Sequence, residues 1–225
     1  MTGNSLIKLE NVWKVYQLGT VELPVLKGIN LEIFPGNFVV ILGPSGSGKS
    51  TLLHIIGLLD TPTIGKVFLK DEDTSKLSED ELAQIRGKEI GFIFQQFNLL
   101  SNLTALENVM MPMIFQGITE KERRERAEFL LESVGLKERM LHRPFELSGG
   151  EQQRIAIARS LSNNPEVIVA DEPTGNLDSK SGQKILEILK KLNKKGRTII
   201  LVTHNKEIAS AAERIINIKD GKIVG

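Results

Sequence analysis

Apolar residues along the chain follow two different patterns. In Leu6–Val12 and Ile29–Phe34 apolar and polar residues alternate, which predicts strands with one buried face. Phe38–Leu42, Val167–Ala170 and Thr198–Val202 are continuously apolar or nearly so, which predicts strands buried on both faces. A further strand is predicted at Gly65–Lys70, and Arg214–Lys219 with the Asp220-Gly221 turn and Lys222–Val224 predicts a closing hairpin.

Helical spacing separates these strands. It covers Ser50–Leu59, Thr104–Gly135, a segment from Ser148 to about Leu161, and Lys180–Leu192. Thr119 and Glu122 form a capping box, and Gly135 and Gly196 stand where helices end. Buried strands that alternate with helices predict an α/β fold with a parallel sheet. The mostly helical block 97–164 interrupts this alternation, so we expect one domain, 1–225, in which 97–164 is an inserted helical subdomain and 1–96 with 165–225 is the core.

Composition narrows the class of protein. The chain has 225 residues, 40% of them hydrophobic and 25% charged, which is typical of a globular protein. The net charge of +1 gives no electrostatic reason to expect nucleic acid, and the basic run at 121–126 is interrupted by acids, as on a solvated helix face. With no cysteine, a disulfide or thiolate site is excluded. The apolar runs are strand-sized, well below the ~20 residues that span a bilayer, and the N-terminus has no signal-peptide core. We therefore expect a cytosolic chain.

A glycine-rich loop connects the first continuously apolar strand to the first helix. Its sequence, Gly43-Pro44-Ser45-Gly46-Ser47-Gly48-Lys49-Ser50, followed by Thr51, fits the phosphate-binding P-loop in its required strand–loop–helix context. Glycines let backbone N–H groups turn toward phosphate oxygens, and the helix directs its positive end at the same anion. Lys49 can approach the β- and γ-phosphates, and Ser50 can ligate Mg²⁺. The alternative is a surface turn without a ligand.

A pair of acids follows the second continuously apolar strand. Asp171 stands at the carboxyl end of Val167–Ala170, where ligands bind in open α/β sheets, and it is predicted to hold Mg²⁺. Glu172 comes next and can polarise a water molecule that attacks the γ-phosphate. Alone, the two acids would more often be an exposed turn. Together with the P-loop they favour an ATPase site.

Further motifs resemble those of the ABC ATPases over essentially the whole chain. Leu147-Ser148-Gly149-Gly150-Glu151, followed by Gln152-Gln153-Arg154, resembles the family's signature motif and precedes the Asp171 strand, as in the family. Gln95 matches the Q-loop, Asn176-Leu177-Asp178 the D-loop, and His204 the switch histidine. Tyr16, the only tyrosine, stands where the family has an aromatic residue that stacks on adenine. Alone, His204 could be a packed polar residue, Tyr16 a strand residue, and Gln95 a loop residue.

The resemblance implies a fold and a mechanism. The fold is a P-loop NTPase core with an N-terminal antiparallel β subdomain and a helical subdomain. Two copies form a head-to-tail homodimer, and each ATP lies between the P-loop of one copy and the signature of the other. Catalysis is assigned to Glu172, His204, Lys49 and Gln95, and Mg²⁺ to Ser50, Gln95 and Asp171. The nucleotide-binding set is Tyr16, Gly43 to Thr51, Ser148, Gly149, Gly150, Glu151 and Asp178.

Physical reasoning supports a second anion site at the signature. Ser148 at a helix N-cap, followed by two glycines, exposes N–H groups at a positive helix end, although it could be only a helix start. Two departures from the family pattern are Glu151, where glutamine is commoner, and Asn205, where aspartate is usual. We expect Asn205 to weaken a local hydrogen bond and leave His204 in place.

Other segments of the sequence indicate which branch of the ABC ATPases the chain resembles and which kind of partner it has. Gly57-Leu58-Leu59-Asp60, Leu103–Val109 and Asp171–Asp178 look closest to macrolide-export, lipoprotein-release and cell-division ABC ATPases. That branch implies an integral membrane permease as partner, at the cytoplasmic face of the membrane. The Met-rich stretch from Phe94 to Phe115 is either helical core or in part a permease-docking groove. The alternatives are a soluble ABC ATPase acting on nucleic acid or the ribosome, and a small P-loop kinase or GTPase.

Overall fold

The computed structural model describes residues 4–210 and 212–224 of the chain. The strands are β1 (Ile7–Leu18), β2 (Val21–Ile33), β3 (Phe38–Leu42), β4 (Ile64–Leu69), β5 (Glu72–Asp73), β6 (Ile90–Ile93), β7 (Val167–Asp171), β8 (Thr198–Thr203), β9 (Arg214–Lys219) and β10 (Lys222–Ile223). The helices are α1 (Lys49–Ile56), α2 (Glu79–Glu89), α3 (Ala105–Ile114), α4 (Glu120–Ser133), α5 (Gly149–Ser160), α6 (Ser179–Lys194) and α7 (Lys206–Ala209). Two compact units form, one from the residues up to Arg86 with those from Gly196 on, the other from Gly87–Lys195.

The first unit contains an antiparallel sheet in the order β2-β1-β4-β5. Ile7 pairs with Ile33 and Leu9 with Leu31, and these apolar side chains are buried. The strands predicted at Leu6–Val12 and Ile29–Phe34 are longer than expected, because β1 and β2 continue as a two-stranded ribbon to the turn at Gly19-Thr20. Side chains near that turn are exposed on both strands, so their burial does not alternate and the sequence pattern does not reveal the ribbon.

The parallel strands of the first unit carry the P-loop. β3 lies between β8 and β9 and runs parallel to both, and β10 completes the hairpin with β9. Four of the five β3 residues and all six of β8 are buried, in agreement with their continuously apolar sequences. α1 follows β3 and buries Leu52, Leu53, Ile55 and Ile56. The carboxyl end of β3 is thereby fixed between two neighbours, and the P-loop begins there.

The second unit contains the parallel pair β6–β7 and most of the helices. Capping boxes begin α3 at Thr104, α4 at Thr119 and α5 at Ser148, so the predicted caps at Thr119 and Ser148 are confirmed. Asp178 is the N-cap of α6 and Lys195 its C-cap, and Gly196, which has a φ of +91°, follows directly. The predicted α/β class, with a parallel sheet, an antiparallel sheet and helices, is confirmed. The division at 97–164 stays a prediction.

Four elements have no counterpart in the sequence prediction: α2, β5, β6 and α7. β6 and α7 have four residues each, too few for a clear period. In α2 only Leu82 is buried, so its sequence shows no apolar stripe. β5 has two residues, too few for a period. Across the described residues, no helix is both long and apolar enough to cross a membrane.

Candidate functional site

The loop between β3 and α1 has the backbone of an anion cradle. Gly46 and Gly48 have φ angles of +76° and +100°, in the left-handed region that favours glycine. Gly48 is the N-cap of α1, and among the described residues no side chain caps that helix. Its first N–H groups and the positive end of the helix dipole are therefore directed at the loop, which suits a phosphate.

Close packing explains two further glycine positions in this loop. A Cβ on Gly43 would lie 2.3 Å from the Ile218 carbonyl oxygen and 2.8 Å from Ser47 Oγ. A Cβ on Gly48 would lie 2.9 Å from Leu26 Cδ2 and 3.0 Å from the Val25 carbonyl oxygen. These distances are too short for a real side chain, so the β1–β2 hairpin and the β9 strand hold the loop against α1.

Two polar side chains inside the loop match a phosphate ligand. Lys49 is 7% exposed, and its Nζ donates to the Pro44 carbonyl oxygen at 2.8 Å, across the loop. Ser47 is 3% exposed, and no partner for its Oγ is found within the described part of the chain. A buried hydroxyl without a partner costs about 1–3 kcal/mol, a cost that a phosphate oxygen can remove. Ser50, the predicted Mg²⁺ ligand, is the second residue of α1.

The other predicted residues of the first unit are Tyr16 and His204. Tyr16 lies on β1, and its hydroxyl donates to Asp60 Oδ2 at 2.8 Å. His204 follows β8 and lines, together with Gly43 and Pro44, an open cleft of about 550 Å³. The structure thus places His204, the predicted switch histidine, beside the first residues of the P-loop.

Asn205 caps the short helix that follows His204. It is the N-cap of α7, and its Oδ1 accepts from the Glu207 backbone N–H at 2.8 Å. Its own N–H donates to Thr203 Oγ1 at 3.1 Å. Asparagine caps a helix about as well as aspartate, so the local hydrogen bonds after His204 are kept. The expectation that this bond is weaker than with aspartate stays a prediction.

The signature residues lie at the N-terminus of α5 in the second unit. Ser148 is the N-cap, and its backbone N–H and Oγ donate to Glu151 Oε2 at 2.9 and 2.7 Å. Arg139 Nε is 3.4 Å from Glu151 Oε1. Hydrogen bonds from the Ser148 hydroxyl and N–H, with a smaller contribution from the Arg139 charge, lower the pKa of Glu151. The carboxylate is therefore ionised at neutral pH and completes a capping box.

The two signature glycines, Gly149 and Gly150, differ in how much space the chain leaves for a Cβ atom. A Cβ on Gly150 would lie 3.0 Å from Ser181 Oγ, which is tight. A Cβ on Gly149 would lie 3.4 Å from Leu177 Cδ2 and 3.5 Å from Phe97 Cζ, which are ordinary contacts. Gly149 has no positive φ either, since it is the first residue of a regular helix. Over residues 4–210 and 212–224, neither backbone conformation nor packing explains the glycine at 149.

The two predicted acidic site residues lie at the carboxyl end of β7. Four β7 residues are buried, and Asp171 ends the strand half-buried. Glu172 has a φ of +44°, which is rare for a residue with a side chain and a strain typical of functional sites. Its carbonyl oxygen accepts from the Gly175 N–H at 2.9 Å, which closes the turn toward the D-loop. Asp178 caps α6, and the hydrogen bonds from Ser181 lower its pKa.

Gln95 is connected to the D-loop by two hydrogen bonds. Its Nε2 donates to Asn176 Oδ1 at 3.3 Å, and Asn176 Nδ2 donates to the Gln95 carbonyl oxygen at 3.0 Å. Both side chains are exposed, so they remain accessible to a ligand or a partner. The Q-loop and the D-loop, predicted as separate motifs, therefore contact each other in this unit.

Gln153 connects three of these motifs, although it is not among the predicted site residues. It is fully buried on α5, and its Nε2 donates to the Phe94 and Pro173 carbonyl oxygens at 3.3 and 2.6 Å. Phe94 precedes Gln95, and Pro173 follows Glu172. The signal in the sequence is a polar residue four positions before Ile157, on the apolar face of the helix.

The predicted site residues thus belong to both units. Tyr16, the P-loop and His204 are in the first, and Gln95, the signature, the two acids and Asp178 are in the second. Each set contains an N-terminal helix end, one with an open backbone cradle and one with a capping box. The P-loop with its buried lysine defines the class of nucleoside triphosphatases.

Comparisons with known proteins give the family. Residues 26–175 match the family described as ABC transporter. An uncharacterized ABC transporter ATP-binding protein of Thermotoga maritima is 54% identical, over 98% of this chain and 94% of that protein. A second one, of Methanocaldococcus jannaschii, is 57% identical over 97% and 98%. The macrolide export ATP-binding/permease protein MacB of Bdellovibrio bacteriovorus is 55% identical over 97% of this chain and 33% of its own length.

Solved structures agree with these sequence matches. A dimeric structure of MJ0796, a bacterial ABC transporter cassette, has a TM-score of 0.91 and 52% identity, covering 97% of both chains. A dimeric post-hydrolysis state of MJ0796, bound to ADP and phosphate, has a TM-score of 0.90 and 51% identity. The chain belongs to the ABC transporter family. It is an ATP-binding cassette with ATPase activity, and the predicted likeness to the macrolide-export branch is confirmed.

Proposed function

We propose that two copies of this chain close around two Mg-ATP molecules and thereby drive a membrane permease. Each ATP is bound by the P-loop of one copy and the signature of the other. The observation that carries this proposal is Gly149, a glycine that its own chain does not require, at a helix N-terminus that can bind an anion. The dimeric state of the MJ0796 cassettes supports the same arrangement.

The roles of the P-loop residues follow from their chemistry. Lys49 exchanges the Pro44 carbonyl oxygen for the β- and γ-phosphate oxygens, and Ser47 gains an acceptor. The N–H groups at the start of α1 bind the remaining oxygens. These groups hold the triphosphate and offset the negative charge that spreads over it during transfer.

Hydroxyl, amide and carboxylate side chains are proposed to bind the metal ion and to orient the attacking water. Ser50, Asp171 and Gln95 would hold Mg²⁺, which supplies positive charge at the β- and γ-phosphates when bound. Glu172 accepts the proton of the attacking water, and His204 orients that water and the γ-phosphate. Tyr16 stacks on the adenine, and Asp178 lies in the D-loop that meets the partner copy. These roles rest on the resemblance to the family.

The permease partner is supported by an exposed apolar surface in the second unit. Met110 and Met113 are buried, so this part of the Met-rich stretch is helical core. Leu100, Ile114 and Phe115 are 42%, 48% and 80% exposed and remain available for docking. We infer that the chain is peripheral, at the cytoplasmic face of a membrane. Purification from solubilised membranes should recover a multi-span protein with the wild-type chain, and recovery of the cassette alone would contradict this partner.

Glu172→Gln tests the composite site. The amide keeps the shape of the side chain but accepts no proton, so turnover should fall by about 10² to 10⁴ while ATP still binds. Sedimentation at saturating Mg-ATP should then show a stable dimer. Ser148→Arg in the same background is the matched control, because it keeps the P-loop and fills the signature; it should bind one ATP per chain and stay monomeric. A Glu172→Gln chain that stays monomeric at every concentration contradicts the proposal.

A further inference from the structure

A half-buried ion pair lies beside Tyr16 in the first unit. Lys14 Nζ is 2.5 Å from Asp60 Oδ1, and the two side chains are 12% and 27% exposed. Lys14 Nζ also donates to the Thr61 carbonyl oxygen at 2.8 Å, and Asp60 Oδ1 accepts from the Thr61 N–H at 2.8 Å. The pair therefore connects β1 to the segment that follows α1. Such pairs are held more firmly than exposed ones, because less water competes for them.

The same two residues hold the Tyr16 ring. The Tyr16 hydroxyl donates to Asp60 Oδ2 at 2.8 Å, and Lys14 Nζ lies 5.1 Å from the ring centroid. The Thr51 hydroxyl is a further hydrogen-bond partner of the Tyr16 oxygen. Burial, followed by the hydrogen bond to Asp60, raises the pKa of Tyr16, so the phenol stays protonated and can donate. The ring is thus fixed at its hydroxyl, and a cation occupies one of its faces.

We propose that Lys14 and Asp60 are positioning residues that hold Tyr16 ready for the nucleotide base. Because Lys14 lies on one face, the base stacks on the other. A ring fixed before binding loses less conformational freedom when the base arrives, which favours affinity for the base and leaves the phosphates unaffected. The inference rests on the proposed function, since it takes Tyr16 as the contact for the base.

A purely structural role for the pair predicts something different. If Asp60 only anchors the segment after α1, or acts on the P-loop through Thr51, its loss should weaken every ligand of the P-loop. If it positions Tyr16, its loss should weaken only ligands that carry a base. Inorganic tripolyphosphate has the phosphates of ATP without the base, so the two ligands together separate these roles.

The experiment measures Mg-ATP and Mg-tripolyphosphate binding by calorimetry on the full chain. We expect Asp60→Ala to raise the Kd for ATP about fivefold, the effect of about 1 kcal/mol for one unfixed side chain, and to leave the Kd for tripolyphosphate within about twofold. In a Tyr16→Ala background, Asp60→Ala should not weaken ATP binding further. Asp60→Asn, which keeps an acceptor for the hydroxyl but loses the charge, should restore part of the affinity and serves as a milder variant if alanine impairs folding.

Lys66→Gln is the matched control, because Lys66 pairs with Asp73 at 3.2 Å in the same antiparallel sheet and does not touch Tyr16. It should leave both affinities unchanged. Equal weakening of ATP and tripolyphosphate by Asp60→Ala, or an unchanged affinity for ATP, would overturn the inference while the proposed function stands. If the wild-type chain bound neither ligand, the proposed function would fail and the inference with it.

Discussion

The N-termini of α1 and α5 look alike in sequence and differ in structure. Serine and glycine residues occur at the start of each helix, and both helix ends are predicted to bind phosphate. α1 is capped by a glycine in the left-handed region, with no capping side chain among the described residues, and a buried lysine follows. α5 is capped by Ser148, whose hydroxyl and N–H are already bound to the carboxylate of Glu151. One helix end is open and positive, and the other is satisfied by its own acid.

This difference explains how the N-termini of α1 and α5, from two copies of the chain, can bind the same triphosphate. The α1 end gains hydrogen bonds as soon as a phosphate arrives, so it can bind nucleotide within a single chain. The α5 end must exchange contacts worth about 1 kcal/mol before Ser148 can donate to a phosphate. On the proposed function, the signature therefore contributes only when the P-loop of the partner copy has already brought the triphosphate to it. This order makes dimer closure depend on bound ATP.

The largest effect is expected where the open cradle depends on glycine. Gly48→Ala places a Cβ at a φ of +100° and 2.9 Å from Leu26 Cδ2. We expect the free energy of unfolding to fall by about 2–4 kcal/mol, and ATP binding to be lost because the loop cannot keep its shape. Urea unfolding and calorimetry measure the two quantities. Gly46→Ala is the control, since it has a φ of +76° but free space around its Cβ, and it should cost about 1 kcal/mol. Wild-type ATP affinity in Gly48→Ala would contradict this account of the open cradle.

The sequence predicts the open cradle better than the capped one. β3, α1 and the P-loop are local: a continuously apolar strand, a glycine pattern and a helix occur in one segment of the chain. The Ser148 cap was predicted for the same reason. Glu151 stands three residues after Ser148, which is the spacing of a capping box, so this contact can be predicted from the sequence. The ion pair of Glu151 with Arg139 depends on how the chain folds between the two residues.

Contacts distant in sequence explain what the pattern could not show. Gln153 bonds to Phe94 and Pro173, and Asp60 to Tyr16, across separations of 59, 20 and 44 residues. No periodicity encodes such pairs. The outer half of the β1–β2 ribbon and α2 escape detection for another reason: their side chains are mostly exposed, so burial gives them no apolar stripe.

At the N-terminus of α5, we expect substitution of Gly149 to change stability little and to weaken dimerisation specifically. Gly149→Ala adds a Cβ that makes only ordinary contacts, and alanine favours a helix by up to about 1 kcal/mol, so stability should be unchanged or slightly higher. ATP binding to the single chain should be unaffected. In the Glu172→Gln background, however, the dimer should form about tenfold less readily by sedimentation, because the methyl group occupies space that the partner's nucleotide needs. Normal dimerisation would show that the glycine serves no partner. Gly150→Ala, with its contact at 3.0 Å to Ser181, should lower stability instead.

The smallest effect concerns the charge that caps α5. Glu151→Gln keeps an acceptor for Ser148 and removes the negative charge from the helix N-terminus and from the pair with Arg139. The side chains of Arg139 and Glu151 are both partly exposed, so the free energy of unfolding should fall by less than about 1 kcal/mol at pH 7. Because folding lowers the pKa of Glu151, this contribution is present above the unfolded value of about 4.3 and is lost as pH falls through the folded pKa. Urea titrations should therefore separate wild type from variant at pH 7 and bring them together once the pH lies below the folded pKa of Glu151.

We expect dimerisation to distinguish the Glu151 carboxylate from the carboxylates of the other capping boxes. Glu122 caps α4 in the same way, with hydrogen bonds from Thr119 that lower its pKa, and it lies outside the signature. Glu122→Gln should change stability with the same dependence on pH and leave dimerisation alone. Glu151→Gln in the Glu172→Gln background should instead dimerise at lower ATP concentration, since one negative charge no longer faces the triphosphate. If both variants dimerise like their parent, Glu151 is only a helix cap, and the two helix ends differ in capping without differing in their use of phosphate.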